Sequence, residues 1–328
     1  LYNISLFEAL YGLGDLEAIE DLKPDTGQPA AIVEDGIVAL RAGDAARAFA
    51  YFERATELLI ESADDDDARV ELAGARINLA GALARMGKLA LAEQELRTTL
   101  REAPADATTA RARAFLALAN VHAEQGDLSI AELEADRALQ LAEAERESVL
   151  AARSLHSLGF IVAGRGDHAG AIEHYRRAAQ SYEHVEEGLE ASRIRVNIGQ
   201  CYVSIVKHRE GIRLLRSALD ECRARGHRRL EARCWTGLAE AYFHLDDHDR
   251  ARRCVRASNT VLGSNSTEHA DLLFVNAWYD WQIGRRQDNP TREKIAFGRL
   301  RALRSYIEKR FPEVEAFDDH VERGRKHA

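Results

Sequence analysis

The sequence predicts an all-α fold, a solenoid of stacked helix–turn–helix units, and three observations carry that prediction. Apolar residues recur at helical rather than alternating spacing along the 328 residues, in segments dominated by Ala, Leu, Glu and Arg, with only 5 prolines. The turn segments "RAGDAARA", "RMGKLALA", "EQGDLSIA" and "GRGDHAGA" place Gly43, Gly87, Gly126 and Gly166 between two such segments. The frame continues to Val206, Asp246 and Gly284, at successive intervals of 44, 39, 40, 40, 40 and 38 residues. A period of that length marks a repeat array, whose units bury their apolar faces only against their neighbours.

Each element follows from this frame. The first helix of every unit has a small residue seven places before the turn: Gly36, Ala80, Ala119, Gly159, Gly199, Ala239 and Ala277. A small side chain there lets a neighbouring helix approach closely. The second helix carries small and larger residues at spacings of four and three, as in Ala171, Tyr175 and Ala178, which keeps them on one face. The long first interval contains "ADDDDA", where Asp64 to Asp67 read as an inserted loop and helix start. Residues 1–28 read as a partial repeat or cap, ended at Lys23 and Pro24, and 29–289 as about seven repeats. Beyond Gly284 the pattern breaks at "RRQDNPT"; the basic amphipathic "TREKIAFGRLRALRSYIEKR" and the acidic "PEVEAFDDHVE" are then expected as C-terminal capping helices over 290–328. A terminal repeat needs such a polar outer face.

The small-x-x-aromatic first helix, the Gly-Asp or Gly-Lys turn and the Ala-x-x-x-aromatic-x-x-Ala second helix resemble the tetratricopeptide repeat. "LHSLGFIVAGRGDHAGAIEHYRRAA" is the fullest instance, and the likeness runs over about residues 29 to 285. The period is similar to the 40-residue type of Leu-Gly-Asn repeat scaffolds and bacterial regulators. The resemblance implies a right-handed superhelix whose concave side is formed by first-helix positions two, five, six, nine, twelve and thirteen. Mapped here, position two holds Arg113, Arg153, Arg193 and Arg233, with Gly74 before them and Asp271 after. Positions six and nine supply Asn78, Asn120, Asn197, Gln200 and Glu240.

An arginine on a helix is ordinarily paired with an acid three or four places away. Only Arg193 has one, Glu190, so either cross-repeat pairing or a ligand must account for the row. Guanidinium forks bind carboxylates bidentately, and an asparagine can both donate to and accept from an extended peptide backbone. In the last unit Phe274, Trp278 and Trp281 fall at spacings of four and three, in positions five, nine and twelve, with Phe243 in the unit before. They read either as core buried by a helix over 291–310 or as an anchor pocket for an apolar side chain.

Composition excludes several classes. A net charge of -9 and a pI near 5.8 do not suit a general nucleic-acid binder. No run of 18 apolar residues suggests a membrane span, and the first residues lack a secretory pattern, so a cytoplasmic location is expected. Cys201, Cys222, Cys234 and Cys254 lack metal-ligand spacing and read as buried reduced thiols. No zinc-protease, phosphate-loop or nucleophile-elbow motif occurs, and "HLDDHD" reads as a polar turn; the chain is expected to be no enzyme and to need no cofactor or metal. Function is thus expected to be that of a scaffold or adaptor whose groove binds a protein or peptide segment, an acidic one by the arginine row, with a homodimer also compatible. The alternative is the peptide-sensing or dimerisation module of an intracellular bacterial transcription regulator. The resemblance allows for its DNA-binding domain outside this chain, which opens on Leu1 and carries 39 arginines against 6 lysines.

Overall fold

A computed structural model describes residues 28–62, 65–182, 188–263, 269–307 and 312–326; the expected N-terminal partial repeat, 1–28, lies outside them except for Gln28. The described residues divide into two compact units, one up to residue 182 and one from residue 188. The N-terminal unit contains α1 (Pro29–Ala42), α2 (Ala45–Glu61), α3 (Asp66–Arg85), α4 (Leu89–Glu102), α5 (Thr108–Gln125), α6 (Leu128–Ala144), α7 (Ser148–Gly164) and α8 (His168–Tyr182). The C-terminal unit contains α9 (Gly188–Ser204), α10 (His208–Ala224), α11 (Arg228–His244), α12 (His248–Leu262), α13 (Ala270–Arg286), α14 (Pro290–Arg304) and α15 (Pro312–Lys326). Among the described residues there is no strand. Consecutive helices pack as pairs, so that α14, expected as a cap, is the second helix of the seventh pair.

The turns explain the frame. Gly43, Gly87, Gly126 and Gly166 all have positive φ, from 73° to 91°, the left-handed conformation that ends a helix tightly. Val206 and Asp246 adopt it too, at 65° and 57°, although neither is a glycine. Close packing inside the pairs explains the small residues. A Cβ on Gly159 would stand 2.6 Å from the Tyr175 ring, and one on Gly199 2.8 Å from Leu215. Helix starts are capped locally: Asp65 accepts from the Ala68 amide, and Asp44 from that of Arg47.

The last unit departs from the expected register. Its positive-φ residue is Asp288, at 50°, not Gly284, which lies inside α13 where a Cβ would meet the Glu293 backbone at 3.0 Å. The frame therefore steps 42 residues from Asp246, and Phe274, Trp278 and Trp281 move from positions five, nine and twelve to one, five and eight. Position eight is the crossing point that glycine or alanine fills in earlier pairs. Here Trp281 meets Phe297 of α14 at 5.8 Å between ring centroids. Two large rings leave a broad apolar end, which α15 covers with Val314 and Phe317.

Consequently the aromatic stripe is core and not an open anchor pocket. Phe274 and Trp281 are 0 % and 1 % exposed, Phe243 packs on Tyr279, and Trp278 is half-buried beside Trp281. The helix expected to cover them does so through Ala296 and Leu300, and α15 completes the cover. All four cysteines are buried and free, and burial pushes the Cys201 and Cys254 thiols up to about 11. Among the described residues no helix is long and apolar enough to cross a membrane.

Candidate functional site

Position two of the first helices does different work in the two units. In the C-terminal unit Arg233 of α11 reaches back to α9, where its Nη2 donates to Asn197 Oδ1 at 2.8 Å and Gln200 Oε1 at 2.7 Å. Position two thus reaches positions six and nine of the unit before. Asn197 is buried, so this arginine satisfies an amide that water does not reach. Arg193 pairs with Glu190 three residues earlier, at 3.0 Å. Both residues are spent within the fold. Asp271, expected in the same row, pairs with Arg229 at 2.9 Å, and the corrected register puts Val275 at position two.

The N-terminal unit leaves its pair open. Among the described residues, neither Arg113 on α5 nor Arg153 on α7 has a hydrogen-bond or ion-pair partner, and both side chains are exposed. For Arg153 the local sequence supplies the reason. Positions six and nine before Arg153 are Ala117, without an acceptor, and Asn120, whose Oδ1 already accepts from Ser157 Oγ at 3.0 Å. Before Arg113 they are Asn78 and Gly81. Asn78 is half-buried and makes no side-chain hydrogen bond among the described residues.

Although open to solvent, Arg113 lies low among neighbouring groups. Lost hydration, and secondarily the Arg153 charge, hold its guanidinium below the ordinary arginine value. An anion placed there would restore what both effects remove. Position nine of α7 adds an exposed aromatic, Phe160, which together with Ser157 falls in the frame that yields Asn120 and Gln200. Their place in the frame is the sequence signal for both, although neither is an amide.

Glu240, the remaining residue of the row, belongs to a different arrangement. It contacts the Tyr279 hydroxyl from α11, while that hydroxyl donates to Glu313 Oε1 of α15 at 3.5 Å. The phenol has one proton for two carboxyls. Burial first, and then Glu313, push Glu240 up to about 7; burial likewise raises Glu313. Because the folded form binds a proton on Glu240 more tightly than an unfolded carboxyl near pH 4.5, the stability this proton contributes is full below that pH. That contribution is lost as pH rises through about 7. Amide exchange of α15, corrected for intrinsic rates, is expected to be faster at pH 8 than at pH 5.5. Glu240→Gln should remove most of the difference; equal protection in the unsubstituted protein at both pH values would contradict this account.

Among the described residues no group of three or more His, Cys, Asp or Glu side chains could hold a metal ion. The tetratricopeptide repeat profile matches residues 151–187, the α7–α8 pair and the segment after it. In structure the chain is similar to a Rap protein complexed with competence and sporulation factor, at 13% identity and a TM-score of 0.64, covering 85% of this chain and 76% of that one. It is also similar to aspartyl phosphate phosphatase F from Bacillus subtilis, at 16% identity and a TM-score of 0.64, covering 87% and 71%. BtubC from P. vanneervenii aligns at 17% identity and a TM-score of 0.58 over 67% of this chain and 91% of that one. No curated protein matches the chain in sequence.

Proposed function

We propose that this tetratricopeptide-repeat protein is a non-enzymatic binding module that holds an acidic segment of a partner protein on the first-helix face of its N-terminal unit. The observation that carries the reading is the contrast within the arginine row. Arg193 and Arg233 are paired inside the fold, whereas Arg113 and Arg153 face solvent with no counter-charge among the described residues. Two adjacent guanidiniums offer ten N–H donors and no acceptor, a surface complementary to carboxylates. The similar Rap structure is of a complex with competence and sporulation factor, which favours a binding role for this fold.

Affinity on such a face comes from charge-assisted hydrogen bonds and weakens with salt. A fluorescent oligo-glutamate is expected to bind the full chain at roughly 0.05 M salt and to weaken at least tenfold by roughly 0.3 M, while oligo-lysine and a Gly-Ser peptide do not bind. Equal binding of all three probes, or of none, would refute the proposal.

A further inference from the structure

We infer that the same face reads an apolar side chain as well as an acid, and that the two stand three residues apart in an extended ligand. This rests on the binding role proposed above. Arg153, Ser157 and Phe160 are spaced by four and three residues on α7, so they share one helical face. Phe160 is 58 % exposed and is the exposed phenylalanine among the described residues. Its counterparts in neighbouring frames are the polar Asn120, Gln200 and Glu240, so a phenyl ring here is not demanded by the repeat. A single exposed apolar residue usually needs no explanation. This one lies a helical turn from a polar bridge and two turns from an unpaired guanidinium.

The spacing defines the occupant. Seven residues at 1.5 Å each separate Arg153 from Phe160 by about 10 Å along α7. An extended chain advances about 3.3 Å per residue and covers that distance in about three residues. Between the two ends, Ser157 occupies Asn120 Oδ1, which leaves the exposed Asn120 Nδ2 to donate to a ligand carbonyl. An acidic residue would therefore meet Arg153 and Arg113, a backbone carbonyl would meet Asn120, and an aromatic or large aliphatic side chain would cover Phe160.

A phage-displayed library of random peptides selected against the full chain tests this. The expected result is enrichment of peptides with an acidic residue and an aromatic or aliphatic residue three positions apart. Their affinity should fall about tenfold with Phe160→Ser, an exposed substitution that leaves the helical spectrum unchanged. Enriched acidic peptides without that spacing and indifferent to Phe160→Ser would overturn the apolar subsite and leave the acidic reading standing. Peptides without acids and indifferent to Arg153→Glu would overturn both.

Discussion

Gly159→Leu is expected to destabilise the N-terminal unit by about 3 kcal/mol or more, because even a Cβ at this position would stand 2.6 Å from the Tyr175 ring. The ring has nowhere to go, since Tyr175 is 2 % exposed at the crossing of α7 and α8. Overpacking by a methylene typically costs about 1–3 kcal/mol, and leucine adds a whole side chain. Gly81 supplies the control. It also lies inside a first helix, yet a Cβ there would meet nothing within 4 Å. Gly81→Ala should therefore stabilise by about 0.5–1 kcal/mol, the difference in helix propensity. Urea unfolding of both variants measures the contrast, and a neutral Gly159→Leu would contradict the close crossing.

Reversing both open charges, Arg113→Glu with Arg153→Glu, is expected to lower oligo-glutamate affinity by about 100-fold or more. Each charge-assisted bond contributes about 1.5–3 kcal/mol, and reversal adds repulsion to its loss. Folding should change little, because neither side chain holds another part of the described structure in place. Anisotropy titration together with a helical spectrum separates lost binding from lost structure.

Much of the fold was legible because the frame is written in residues with steric reasons: glycine at positive φ and small residues at the helix crossings. The last unit was misread for a physical reason. Gly284 imitates a turn glycine, while the turn itself is made by Asp288, so the expected register sets the aromatic stripe four positions too late in its unit. With Trp281 at the crossing, a large residue stands where the frame predicts a small one. Position two is an arginine row in the sequence, but the division of that row between paired and open side chains is not written there. Arg193 is spent on Glu190 of its own helix and Arg233 on Asn197 and Gln200 more than thirty positions earlier, whereas at those two places Arg153 meets Ala117 and an Asn120 already bound to Ser157. The pairing of Tyr279 with Glu313 was also beyond reach, since it depends on where α15 docks.

The central claim is that one row of arginines is divided between binding and architecture. The most direct measurement compares Arg113→Ala/Arg153→Ala with Arg193→Ala/Arg233→Ala for oligo-glutamate affinity and urea midpoint in parallel. The first pair should lose affinity about tenfold or more and keep its midpoint; the second should keep affinity and lose about 1–3 kcal/mol of stability as the buried Asn197 loses the Arg233 donor. Equal effects of the two pairs on both quantities would contradict the claim.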